Sequence, residues 1–175
     1  MIRGTLVYAL LGLLAIGAAY VALASIKGRK EALALVFGPV EHEPVDFAAL
    51  QLKSTPNQYL VCPEGYCAAE AHAVSPTFPV DVQELQDIWF DVVSRQPSTK
   101  VIASDEAARQ FDIETLTPLV GFPDTVTVRF LEAPGGGSTL AVYSRSYYGR
   151  SDLGANKKRI DSWLGEIAAR LGRNG

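Results

Sequence analysis

The residues best equipped for chemistry gather toward the C-terminal end of the chain. Arg145, Asp152, Asn156 and Arg159 fall in one polar run, and Asp124 lies a short way upstream. Arg145 ends a segment of strand-like alternation, residues 147–151 read as a turn, and the apolar positions after Asp152 recur at helical spacing. Ser151 or Asp152 is thereby placed to cap that helix, and Asn156 and Arg159, about one turn apart, share a face of it. Asp124 begins the neighbouring strand and is expected to meet Arg145. Two chemistries fit such a cluster. One is a polar network that fixes a strand-to-helix junction and needs no ligand. The other is an anion site, in which Arg145 and the free amides of the helix N-terminus hold a phosphate or carboxylate. Asp152 at the cap would oppose a bound anion, which weighs toward the network.

Other reactive residue types are sparse. The only two cysteines, Cys62 and Cys67, bracket Pro63-Glu64-Gly65-Tyr66. A loop with proline and glycine can bring such a pair within bonding distance; two free thiols in a loop are the alternative. A disulfide would require an oxidising compartment. His42 falls in a stretch that reads as linker. Cys62, Cys67 and His72 match no common zinc spacing and lack an evident fourth ligand, so no metal is expected. There is no Gly-x-Ser-x-Gly elbow, and the glycine-rich residues 134–138 are not followed by Lys-Ser/Thr. No cofactor is indicated. Asp112 and Glu114 share one face of a strand and could serve as acid and base, although plain alternation gives the same placement.

The elements that must position these groups follow from hydrophobic period. Val82, Leu85, Ile88, Trp89, Val92 and Val93 recur at helical spacing behind Asp81, a cap residue, and Gln96-Pro97 ends that helix. Four strands are expected over residues 100–104, 109–116, 125–131 and 139–146, with 59–62 as one more strand in front. Residues 134–137 form a glycine-rich hairpin loop between the last two. Ile160, Trp163, Leu164, Ile167 and Leu171 make the stripe of a final helix, with Gly172 and Gly175 at its frayed end. Residues 33–37 extend the N-terminal helix or lie at the interface, and residues 47–52 read as a short helix or an edge strand. The pattern predicts an α+β domain: a four- to five-stranded antiparallel sheet with two helices packed on one face. Gln110, Asp112, Glu114, Thr125, Thr127, Arg129, Tyr143 and Arg145 then line the opposite face. That face reads as open and solvated, with Glu114, Arg129 and Asp112 paired across strands; a concave binding surface is the alternative.

Thr5–Ile26 contains no charged residue, and as a helix it would span about 33 Å, enough to cross a bilayer core. Residues 1–30 therefore read as a membrane anchor or signal segment, 31–57 as a linker and 58–172 as the folded domain. The length of the segment suits a retained helix, while Ala22-Leu23-Ala24 before Ser25 fits a cleavage site. Formal charge is −3 for the whole chain and falls in blocks of +4 for residues 1–30, −11 for 31–144 and +4 for 145–175. An acidic body argues against nucleic acid as a partner. Lys27, Arg29 and Lys30 outweigh Arg3 and would hold the domain in the cytoplasm. A disulfide would place it outside, and export is the reading adopted.

The run Ser144-Arg145-Ser146-Tyr147-Tyr148-Gly149-Arg150-Ser151-Asp152-Leu153-Gly154-Ala155-Asn156-Lys157-Lys158-Arg159-Ile160, with Gly121-Phe122-Pro123-Asp124 upstream, resembles the bacterial and plastid family known as domain of unknown function 1499. The shared pattern is a Ser-Arg pair, a glycine, Ser-Asp-x-Gly-x-Asn and an Arg-Ile step, and the likeness covers roughly residues 56–171. Cys62-Pro63 and Cys67 are similar, at shifted spacing, to a Cys-Pro opening with a second cysteine nearby. The resemblance implies an N-terminal signal or anchor, hence export to a cell envelope, and implies no activity.

Three function classes remain. The first is a single-pass, membrane-tethered envelope domain, periplasmic rather than cytoplasmic, that binds an anionic ligand or an envelope protein without catalysis. The second is a small hydrolase or transferase using carboxylates, with Asp112 or Glu114 of the open sheet face, or Asp124, as acid or base. The third is a purely structural envelope protein.

Overall fold

The computed structural model describes residues 2–118 and 120–174, so Gly175, expected at the frayed end of the last helix, lies outside the described residues. The apolar segment forms α1, Ile2–Lys27. Its Thr5–Ile26 span has a mean hydropathy of 2.3 and is not buried against the rest of the chain, and by length and composition it fits a membrane span or a signal sequence. Residues 33–37 do not simply continue it. The chain breaks at Gly28, whose φ of 96° favours glycine, and a second helix follows, α2, Arg29–Phe37. Ala32 and Leu33 of α2 are buried, whereas Leu35, Val36 and Phe37 are exposed.

The folded body is α+β, but its sheet is larger than expected and is mixed. The strands are β1 (Gln58–Cys62), β2 (Ala73–Val74), β3 (Thr99–Asp105), β4 (Gln110–Leu116), β5 (Pro123–Glu132) and β6 (Ser138–Ser146), in the order β2-β1-β6-β5-β4-β3. All neighbours are antiparallel except β1 and β2, which run parallel. Two residues are too few to show alternation, so β2 left no periodic trace. It is held to β1 by the amides of His72 and Ser75, which donate to the Leu60 and Cys62 carbonyls.

Two helices, α3 (Val82–Ser94) and α4 (Ala155–Asn174), cover one face of this sheet. Asp81 caps α3, its Oδ1 accepting from the Glu84 amide at 2.8 Å, an arrangement worth about 1 kcal/mol. Trp89 is fully buried and packs edge-on against Phe130 and Trp163, with ring centroids 6.0 and 5.5 Å apart. Both tryptophans of the chain thus sit where sheet, α3 and α4 meet.

The opposite face is not open. Asp112, Glu114, Thr125 and Thr127 are all buried, because α2 and residues 41–53 lie across them. Residues 47–49 form a turn rather than a helix or strand. Phe47, fully buried, packs with Leu60, Cys62, Ala141 and Tyr143 in a second apolar cluster, a burial worth about 1.5–3 kcal/mol. Gln110 Nε2 donates to the Val45 carbonyl at 2.8 Å and Arg145 Nη2 to the Glu43 carbonyl at 3.0 Å. The expected cross-strand pairing of Glu114, Arg129 and Asp112 does not form among the described residues. The register sets Arg129 opposite Gln110, Asp112 opposite Thr127 and Glu114 opposite Thr125, so the arginine is displaced along the strands from both acids. Glu114 is paired instead with Lys30 of α2 and with Lys100 of β3 at 3.2 Å.

Candidate functional site

Strand parity sorts the polar residues at the junction. Asp124 shares its side of β5 with Val126 and Val128, which are in the core beneath the helices. The register pairs Asp124 with Ser146, and Ser144 lies two residues away on the same side of β6. Thr125 is paired with Arg145, so Arg145 belongs to the opposite face. Asp124 and Arg145 therefore do not meet.

On the helix side, α4 brings Asn156 and Arg159 down onto the two strands. Arg159 Nη2 pairs with Asp124 Oδ2 at 2.5 Å, and Nη1 donates to Ser144 Oγ at 3.0 Å and to Asn156 Oδ1 at 2.6 Å. Asn156, fully buried, donates from Nδ2 to Ser146 Oγ at 3.0 Å and to the Asn57 carbonyl at 3.2 Å. Its Oδ1 also accepts from the Ser144 hydroxyl at 2.6 Å. Asp152 serves the turn: Oδ1 accepts from the Gly154 amide and Oδ2 from the Asn156 amide, at 3.1 and 2.8 Å. Asp124, Asp152, Asn156 and Arg159 thus form one connected network, in which Ser144, Ser146 and Asn57 are further members.

Arg145 works on the other face. Nη1 donates to Thr127 Oγ1 at 3.0 Å, the Thr127 hydroxyl in turn donates to Asp112 Oδ1, and the guanidinium lies 5.2 Å from the Tyr143 ring centroid. His42 Nε2 stands 3.0 Å from Asp112 Oδ2. Burial pushes the Glu114 carboxyl up, but the hydrogen bonds and charges of Lys30 and Lys100 outweigh it and hold the group below its ordinary value. Both acids of this face are therefore occupied by partners.

Beside the helix-side network lies a cavity of about 490 Å³, within the range of about 300–1,000 Å³ usual for small-molecule sites. Its wall is mostly apolar. Phe37, Phe122 and Tyr148 contribute rings that touch one another, with centroids 5.3–6.2 Å apart. Tyr148 donates to the Gly38 carbonyl at 2.5 Å, tying this wall to the end of α2, and burial raises its phenol above the ordinary value. Asp124 lies in the same wall and is 1% exposed; its Oδ1 has no hydrogen-bond partner among the described residues.

The rim is fastened to the N-terminal helices. Tyr20 of α1 donates to the Val120 carbonyl, and Arg29 Nη1 donates to the Pro118 carbonyl at 2.6 Å. Gly121 has φ 81°, and a Cβ there would stand 2.7 Å from Arg29 Cβ, so the close approach needs glycine. Sequence reasoning missed the cavity because Phe37 comes from a segment far from the junction. One local signal was present: Gly121-Phe122-Pro123-Asp124 carries a glycine, a ring and the acid of the same wall.

Cys62 and Cys67 are joined by a disulfide, with Cα atoms 6.3 Å apart, and Tyr66 within the loop packs against Phe47. His72 Nδ1 accepts from the Leu60 amide at 3.0 Å, which occupies it in the sheet edge. Among the described residues no group of three or more His, Cys, Asp or Glu side chains is placed to hold a metal ion.

No curated protein matches the chain. The family model described as protein of unknown function (DUF1499) matches residues 44–167, from the segment that covers the sheet to the last turns of α4, and the chain belongs to that family.

Proposed function

We propose that the chain is a membrane-tethered domain that binds a largely apolar small molecule bearing a hydrogen-bond donor, without converting it, in the cavity walled by Asp124 and the rings of Phe37, Phe122 and Tyr148. The observation that carries this reading is a buried aspartate in the wall of an apolar cavity, one of whose carboxylate oxygens has no partner among the described residues. Such an oxygen is costly to leave unmade, by about 1–3 kcal/mol or more for a charged group, and a ligand is one way to complete it. Asp112 and Glu114 are engaged by side chains, and both oxygens of Asp152 by amides, which favours binding over acid–base catalysis. The helix-side network itself supports a structural role for Arg159 and Asn156, whose polar atoms face one another.

The compartment proposed is the outer side of a cell membrane, because the Cys62–Cys67 disulfide suits an oxidising environment. Arg29 and Lys30 bond the folded domain, which gives them a use apart from topology. Membrane-impermeant maleimide applied to intact cells should label the two cysteines only after reduction. Labelling only after lysis, without reductant, would put the domain in the cytoplasm.

The binding reading is tested on the full chain in lipid nanodiscs with a photoactivatable alkyl probe. Adducts should form on peptides carrying Phe122 and Tyr148 as well as on Thr5–Ile26. Ala155→Phe, which fills the cavity from its α4 side, should remove the first set and leave the second. Labelling confined to Thr5–Ile26 in the unaltered chain would end the reading.

A further inference from the structure

We propose that the cavity selects a bilayer amphiphile with a neutral or cationic hydrogen-bond-donating head, of the class of a long-chain alcohol or amine, and receives it from the membrane side. This rests on the binding reading above and specifies what the site takes.

The head follows from the polar atoms of the wall. Asp124 Oδ2 is taken by Arg159, and Oδ1 lacks a partner among the described residues. A carboxylate oxygen only accepts, so its complement is a donor: a hydroxyl or an ammonium. The wall contains two acids, Asp124 and Asp152, and no lysine or arginine among its described residues. Arg159, the neighbouring cation, spends its two terminal nitrogens on Asp124, Ser144 and Asn156. A phosphate or carboxylate head would be buried against like charge, whereas an ammonium or hydroxyl would not. The anion-binding role considered for this junction is therefore not the one its charges favour.

The tail and its source follow from the rim. Phe37 belongs to α2, the helix that directly follows α1. Tyr20, six residues before the end of the apolar span, bonds Val120 of the rim, which places that contact about 9 Å along the helix from Ile26. Val120, bonded to Tyr20, is 38% exposed and Leu153 is 96% exposed, so the mouth presents apolar side chains outward. Leu153 also holds a φ of 53°, a conformation unfavourable for a branched apolar residue.

The experiment uses four photoreactive probes that share one C16 chain and differ in head: alcohol, ammonium, carboxylate and phosphate. The full chain is placed in phosphatidylcholine nanodiscs, and adducts on Phe122 and Tyr148 are counted relative to those on Thr5–Ile26 of the same molecule. That ratio cancels differences in partitioning. The alcohol and ammonium probes should give ratios about tenfold above the two anionic probes, the equivalent of about 1.4 kcal/mol. Asp124→Asn, checked for folding by the fluorescence of the core tryptophans, should cut the ammonium ratio and raise the anionic ones. Equal ratios for all four heads in the unaltered chain would overturn the head selection and leave the binding reading standing. Higher anionic ratios would do the same. No cavity adduct with any probe would remove both. The head series needs no variant, so it decides the selection even if Asp124→Asn misfolds.

Discussion

The two faces of the sheet hold their arginines in opposite ways. Arg159, on the helix side, is set against a carboxylate that is almost wholly buried, and its other contacts come from side chains of β6 and α4. Arg145, on the far side, is surrounded by neutral oxygens, a threonine hydroxyl and a main-chain carbonyl, with a tyrosine ring beside it. Asp112 is linked to it only through the Thr127 hydroxyl. An arginine facing a buried carboxylate cannot be removed without stranding a charge; one facing neutral acceptors can. The sheet thus separates a charge-locked junction from a covered polar face that is held mainly by its cover.

That contrast is broken or sharpened first by truncating each arginine. Arg159→Ala strands Asp124 and should cost about 3–5 kcal/mol. Arg145→Ala removes two hydrogen bonds to neutral oxygens and should cost about 1–3 kcal/mol. Urea titration of the full chain in detergent, followed by tryptophan emission, reads both, since Trp89 and Trp163 lie in the core shared by α3, α4 and the sheet. Equal losses would mean that the buried carboxylate is not what distinguishes the faces. Arg159→Ala should also become less damaging when Asp124→Asn is added, because the stranded charge is then gone. A strictly additive double variant would show that the two side chains act independently.

The same contrast explains what could be read from the sequence. The helix-side network draws on Ser144, Ser146, Asp152, Asn156 and Arg159, which are close along the chain, and helix and strand periods place them together. Even the one error, the pairing of Asp124 with Arg145, was avoidable. Asp124 has the parity of Val126, an inward residue, while Arg145 has the parity of Tyr143, an outward one. The covered face was not legible in this way. Its cover comes from α2 and residues 41–53, where Gly38, Pro39 and Pro44 interrupt any period, and two of its contacts go to main-chain carbonyls at Glu43 and Val45 that carry no side-chain signature. Polar alternation on β4 and β5 suggested an exposed face, because Asp112, Glu114 and Thr127 look the same to a pattern whether they meet water or a crossing segment. The cavity escaped for a related reason: its wall joins Phe37 to Phe122 and Tyr148 across that same crossing segment.

The smallest expected effect lies where the cover is fastened by charge. Glu114 is held below the ordinary glutamate value by Lys30 and Lys100, so its folded state binds a proton less readily than its unfolded state. The stability it contributes is then complete above the unfolded value, about 4.3, and is lost as pH falls through the lower folded value. Both lysines are partly exposed, which limits the contribution to about 1 kcal/mol or less. Glu114→Gln should therefore lower the urea midpoint slightly at neutral pH, and the gap to the unaltered chain should close below about pH 4. Salt should narrow the same gap at neutral pH, whereas it should change the Arg159→Ala loss less, since the Asp124 carboxylate of that pair is buried. A gap that persists undiminished in acid would assign the fastening to packing of Ala32 and Leu33 rather than to the carboxylate. The two faces would then differ in their arginines alone.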